Sequence, residues 1–244
     1  MLGARQSEGE TMAPKSSERG KKSIAVFDID GTIFRSSLMT QLYLELVREK
    51  IFPPEAERRV TAKFRAWTDR RGSYRDYIMS VVQAYERHIV GVRPAVIERL
   101  ADRIIREQKN RVYAYTRNLV EKLRKTHLLV AISGSPVETV RAFNEYWHFD
   151  HVFGEVWEVD GGKYTGRVVM EPVYEKRATL AAFVDAHHLS LKGSIGVGDT
   201  EADVSFLEMV EKPICFNPNQ PLYDVAKKRG WKIVVERKDV IYEL

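Results

Sequence analysis

Cysteine is almost absent from this 244-residue chain, Cys215 being the only one. An internal disulfide is thereby excluded, and a reducing compartment, the cytoplasm, is the expected setting. Flanked by Ile214 and Phe216, that thiol reads as a small buried hydrophobe. No apolar run approaches the roughly 20 residues of a transmembrane helix. Residues 1–22 lack the apolar stretch of a signal peptide; rich in Ser, Gly, Glu, Lys and Arg, they are expected to form a disordered tail. Zinc chemistry lacks its ligands, because no cysteine or further histidine is spaced to join His187 and His188. A nucleotide-binding P-loop is missing too: Gly161-Gly162-Lys163 has neither the required glycine spacing nor a following helix. Trp147, Trp157 and Trp231 read as packing residues.

What is present begins with charge. The net charge is +5, yet residues 36–118 hold 17 Lys or Arg against 10 Asp or Glu, so the remainder is slightly acidic. A basic middle favours an anionic partner: a phosphorylated metabolite, a membrane surface or a nucleic acid. The same region is patterned as helix. Leu38, Leu42 and Leu46 share one stripe, Pro53-Pro54 ends it, and further helical patterns run over 55–69 and 74–85. After Gly91, Pro94 opens a fourth, carrying Ile97, Leu100, Ile104 and Ile105. About 75 residues of helix without strand signals look like an inserted all-helical cap, residues 36–114.

On either side, strands and helices alternate. A buried strand over 24–27 precedes the insertion. After it come a helix over 118–125, a strand over 128–132, a small β-hairpin over 155–169 and a helix over 175–188. A strand over 193–198, a helix over 200–210, a strand over 213–216, a helix over 222–229 and a strand over 231–235 follow. The pattern predicts an α/β fold, a doubly wound, Rossmann-like parallel sheet formed by residues 23–35 and 115–244.

Chemistry gathers at the carboxyl ends of the predicted strands, where such sheets bind ligands. Asp28 and Asp30 alternate on an extended segment, so they are near neighbours suited to different tasks, nucleophile or metal ligand and general acid/base. Gly31 permits a sharp exit from the strand, and the Thr32 hydroxyl can bond nearby carboxylate. Ser133-Gly134-Ser135-Pro136 offers backbone N–H groups and a hydroxyl to an anion. Lys176 opposes the dipole of its helix, so it either reaches solvent or has an anion nearby. Asp199, with Asp203 one turn on, forms a second acidic cluster that can complete an oxygen-ligand site of the type Mg²⁺ prefers.

Taken in order, Asp28-Ile29-Asp30-Gly31-Thr32, Ser133, Lys176 and Gly198-Asp199-Thr200-Glu201-Ala202-Asp203 resemble the haloacid dehalogenase-like hydrolase superfamily. The helical insertion resembles the cap of its phosphoserine phosphatase-like branch. The resemblance implies that Asp28 attacks phosphorus and forms an aspartyl-phosphate, while Asp30 serves as general acid and then base. It implies Mg²⁺ held by Asp28, the Asp30 carbonyl and Asp199, with Asp203 and Thr32 standing behind these ligands. Ser133, the Gly134 amide and Lys176 would bind the phosphoryl oxygens.

The expected activity is hydrolysis of a small phosphorylated metabolite, with no nucleic-acid partner. Phosphoserine itself, transfer to an alcohol, and a non-catalytic role for the basic insertion are the alternatives. One departure is Ser37, at the position where the resemblance implies a glutamate for the amino group of phosphoserine. Arg65, Arg70, Arg71 or Arg75 is expected to reach the leaving group, and hinges are expected at 34–37 and 115–118.

Overall fold

The computed structural model describes residues 23–173 and 175–244; the tail expected over residues 1–22 lies outside them. Strand β1 (Ser23–Phe27) is central, with parallel neighbours at both edges, β2 (His127–Pro136) and β5 (Ile195–Gly198), and is buried on both faces by the two core layers. Val26 faces Val130 on one side and Gly196 on the other. Beyond β5 lie β6 (Lys212–Phe216), β7 (Lys232–Arg237) and β8 (Val240–Glu243); beyond β2 lie β3 (His151–Asp160) and β4 (Lys163–Met170). The eight strands run in the order β4-β3-β2-β1-β5-β6-β7-β8. Among the strands of the described residues, only the two edge pairs, β3 with β4 and β7 with β8, are antiparallel.

The expected hairpin over 155–169 is present in β3 and β4, and it extends the main sheet, because His151, Val152 and Phe153 pair in parallel with Val130, Ala131 and Ile132 before the strand turns back on β4. Strand β8 was not anticipated: its four residues are all exposed, so no alternation of apolar and polar side chains marks it.

Alternation along β1 divides the core. Ile24 and Val26 face one layer, packed with α7 (Lys176–Ala186), α8 (Val204–Leu207) and α9 (Gln220–Arg229). Ala25 and Phe27 face the other, with α5 (Ala114–Leu123) and α6 (Val137–Trp147). The helix expected over 200–210 is instead a 3₁₀ turn, Glu201–Asp203, followed by the single turn of α8. The cause is Asp203, whose carboxylate accepts hydrogen bonds from the Asp199 and Thr200 amides at 2.9 Å and tightens the start.

The four inserted helices are α1 (Leu38–Arg48), α2 (Pro54–Thr68), α3 (Tyr74–His88) and α4 (Pro94–Gln108). Ser37 caps α1 through the Thr40 amide and Ser73 caps α3 through the Asp76 amide. Pro54 and Pro94 occupy first turns, where a missing N–H costs nothing. Leu42, Tyr43, Leu46, Phe52, Val81, Tyr85, Ile97 and Leu100 are fully buried and continuous with the core layer beneath α6. Part of the basic surplus is neutralised internally: Arg99 reaches Glu49 at 2.7 Å, and Arg103 reaches Glu49 and Glu45 at 2.5 and 2.6 Å.

The chain enters and leaves the insertion through paired segments, with the Arg35 amide donating to the Arg111 carbonyl and the Tyr113 amide to the Ile33 carbonyl. The exit therefore lies before the expected hinge at 115–118, which falls inside α5. The early start of α5 has a distant cause. Glu236, on β7, accepts hydrogen bonds from the Ala114 and Tyr115 amides at 3.0 and 2.8 Å and caps the helix.

Phe52 lies with its ring 5.9 Å from Tyr85 and 6.3 Å from Tyr43. Phe52→Ala is expected to cost about 3–5 kcal/mol of stability, measured by urea unfolding; a loss under about 1 kcal/mol would show that the insertion does not depend on this aromatic centre.

Candidate active site

The parallel ladder continues one residue past β1, where the Asp28 amide donates to the Val197 carbonyl at 2.9 Å. Asp28 and Asp199 thus leave adjacent strand ends side by side. Gly31 makes their approach possible: its φ is +83°, and a Cβ there would overlap Asp199 Oδ2. Thr32 Oγ1 lies 3.4 Å from Asp199 Oδ1.

Asp30 turns toward β2. Its Oδ2 accepts from Ser133 Oγ at 2.5 Å and Ser135 Oγ at 2.9 Å, and its Oδ1 accepts from the Leu38 amide at 2.5 Å. Ser135 Oγ also accepts from the Met39 amide. One carboxylate therefore ties the end of β2 to the first turn of α1.

Lys176 solves its dipole problem with anions, not solvent. Only 2% exposed, its Nζ donates to Asp28 Oδ1 at 2.7 Å and Asp203 Oδ1 at 2.5 Å. Burial alone would lower its pKa, but Asp203 and Asp28 more than offset that and hold the ammonium charged. The carboxylates are short of positive charge. Burial pushes Asp28 above the usual carboxylate range; Lys176 opposes the rise, and Asp203 and Asp30 add to it. Asp199 is raised strongly, by burial and then by Asp28 and Asp203. Burial also raises Asp30, with the Ser133, Leu38 and Ser135 donors holding it partly down.

These residues fit a hard divalent cation. Oxygen atoms of Asp28, Asp199 and Asp203 lie within 4.8 Å of one another, and Asp28 Oδ2 is buried without a hydrogen-bond partner. Both oxygens of Asp203 are already engaged, by Lys176 and by the backbone amides of 199 and 200. A free carboxylate oxygen, an acidic surplus and no sulfur or imidazole donor suit an ion of the Mg²⁺ type.

A cavity of about 380 Å³ opens over Asp28, Asp30, Gly134, Ser135, Lys176 and Asp199. Tyr74, Ile78 and Val82 of α3 form its roof, and Glu155 and Glu171 its far wall. Ser133 is fully buried behind Asp30 and does not line this space, whereas Ser135 does. Of the four arginines expected at the leaving group, only Arg75 reaches the cavity, and it pairs with Glu201 at 3.0 Å. The Trp147 ring stacks on Phe143, and Trp157 packs edge-on to Tyr85. His187 lies against Phe183 and His151.

Sequence reasoning did not single out Ser135, Glu155, Glu171 or Glu201. Ser135 carried a faint signal as the second hydroxyl of the turn after β2. Glu155 is nearly fully buried, and its carboxyl is pushed up to about 8, first by burial and then by Glu171 and Glu86.

Residues 25–208 match the family model of haloacid dehalogenase-like hydrolases. The chain belongs to this family. Among curated proteins it is 24% identical over 218 residues to a phosphoserine phosphatase of Archaeoglobus fulgidus, covering 88% of this chain and 58% of that one. It spans about half the length of the curated relatives it matches.

A solved protein of unknown function from Bordetella pertussis superposes with a TM-score of 0.68 at 19% identity, covering 87% of this chain and 98% of that one. A substrate-bound phosphoserine phosphatase superposes at 0.60 and 18% identity, covering 91% and 96%. These likenesses establish the fold. Among the described residues no helix is long and apolar enough to cross a membrane.

The acidic surplus makes the metal response testable. Mg²⁺ is expected to raise the melting temperature of the metal-free protein, by mass action equivalent to about 2.7 kcal/mol at a hundredfold excess over Kd. Asp199→Asn removes one buried like charge, so the metal-free variant should melt above the wild type while losing most of the Mg²⁺ response. A wild type indifferent to Mg²⁺ would refute the cation site.

Proposed function

We propose that the protein is a Mg²⁺-dependent phosphatase that hydrolyses a small phosphomonoester through an aspartyl-phosphate on Asp28. The observation carrying this reading is the state of Asp28: one oxygen is fixed by Lys176 and the other is buried, unpartnered and at the cavity floor. Such a carboxylate is oriented by its bound oxygen and has a lone pair available on the free one.

Asp28 attacks phosphorus through one carboxylate oxygen as the bond to the ester oxygen breaks. Asp30, whose burial favours its acid form at the start, gives its proton to the departing oxygen. It then takes a proton from the water that attacks the aspartyl-phosphate, releasing phosphate and restoring the Asp28 carboxylate. The Gly134 amide and Lys176, which line the cavity, receive the phosphoryl oxygens, Ser133 holds the Asp30 carboxylate from behind, and Asp203 keeps Lys176 charged and in place. Mg²⁺, held by Asp28, the Asp30 carbonyl and Asp199, supplies when bound the positive charge that lets carboxylate and phosphate approach. Thr32 and Asp203 support Asp199 through its carboxylate and its amide. The helical insertion acts as a cap that excludes water from the cavity.

Phosphate release from a panel of phosphomonoesters, phosphoserine included, tests the reading. Activity should require Mg²⁺, vanish in Asp28→Asn, and fall about 10²–10⁴-fold in kcat in Asp30→Asn. Release that survives Asp28→Asn would overturn the covalent route, and transfer to added alcohols in place of release would make the enzyme a phosphotransferase.

A further inference from the structure

The charges around the cavity are unequally shared. Asp28, Asp30 and Asp199 belong to the reacting end, with Lys176. At the rim, Arg75 is committed to Glu201. That leaves Glu155 and Glu171 on the far wall, and no other Lys or Arg lines the cavity among the described residues.

Glu155 is only 3% exposed, and no ion pair reaches it among the described residues. Its neighbours make matters worse: Glu86 comes from α3, Glu138 from α6 and Glu171 from the segment after β4, all like-charged, with the Trp157 N–H a small opposing influence. Glu138 is itself engaged, accepting from the Tyr164 hydroxyl at 2.8 Å. A buried site with three glutamates among its charged neighbours and no cation disfavours the carboxylate form of Glu155 unless something completes it. Its position in the same cavity as Asp28, beneath the apolar Ile78, Val82 and Val173, indicates what does.

We propose that Glu155, backed by Glu171, is a specificity-determining residue that selects phosphomonoesters whose organic group carries a cationic nitrogen and no carboxylate. The inference rests on the phosphatase reading for the phosphate end of the substrate. A carboxylate on the substrate would meet this acidic wall, and the one guanidinium at the rim is already paired. An ammonium, guanidinium or protonated imidazole carried on an apolar spacer from the phosphate ester oxygen meets both halves of the cavity. Binding it draws Glu155 from the acid to the carboxylate, because a nearby positive charge lowers a carboxyl pKa. A proton is then released near neutral pH, where the empty site holds Glu155 mostly as the acid.

Non-hydrolysable phosphonates separate this claim from catalysis. With Mg²⁺ present, calorimetry compares aminoalkylphosphonates of two to four carbons with the matching alkylphosphonates, on the wild type and on Glu155→Gln, which keeps the shape and removes a buried acid. The wild type is expected to bind at least one amine about tenfold or more tighter than its alkyl counterpart. It should also release more protons than the variant with the same ligand, read from the dependence of the heat on buffer ionisation. Glu155→Gln should bring the affinity ratio close to one. Equal affinities in the wild type, or a preference that survives Glu155→Gln, would overturn the proposal.

Hydrolysis of p-nitrophenyl phosphate, which has no cation, is measured on the same samples. Turnover with no amine preference sinks the cation site alone, and amine preference with no turnover of any ester sinks the phosphatase reading alone.

Discussion

The site depends on one buried ammonium. Lys176 stands at the start of α7, against the helix dipole and almost out of water, and two aspartates from different elements hold it there. An ion pair so deep is of doubtful net benefit to stability, since both partners lose their hydration. Its effect is positional. Asp28 leaves β1 and Asp203 follows β5, so a single Nζ aligns the ends of two neighbouring strands with the helix that packs across them. The remaining acidic charge stays uncompensated within the protein, which is why the same cluster reads as a receptor for cation and phosphate together.

Asp30 carries the second constraint, joining the core to the insertion. Its two oxygens divide their hydrogen bonds between the serines after β2 and the first amide of α1. The position of the inserted helices is thus referenced directly to a carboxylate at the reacting end. Arg75 and Glu201 provide a second contact from α3 to the loop after β5. Between those two attachments lies the cavity roof. Its apolar residues come from the helix whose first turn holds Arg75.

Much of this was legible in the order of residues, for identifiable reasons. The run Ile24-Ala25-Val26-Phe27 reads as a strand covered on both faces, and Asp28, Lys176 and Asp199 follow from where strands end and helices begin. The four insertion helices declared themselves through apolar stripes, with Pro94 marking the first turn of α4. What escaped was set by distant partners. Glu155 lies in a segment whose alternation reads as an ordinary hairpin strand, and the groups around it come from α6, the helix just before β3, and from α3, far away in sequence. Ser133 and Ser135 flank the same glycine, and nothing local tells which one faces the cavity. Strand β8 borrows its pairing entirely from β7, and the compressed turn after Asp199 exists because Asp203 folds back on the amides before it.

The cap of α5 by Glu236 bears on the order in which the molecule assembles. The glutamate lies 122 residues after the amide of Ala114 that it receives, so the first turn of α5 stays uncapped until β7 has joined the sheet. Contacts among α1 through α4 span one continuous stretch of chain, whereas the loop from Ala114 to Glu236 is far longer and slower to close. The helical insertion is therefore built before its exit is secured. Nascent chain that has yet to present β7 leaves the exit from the insertion unsecured.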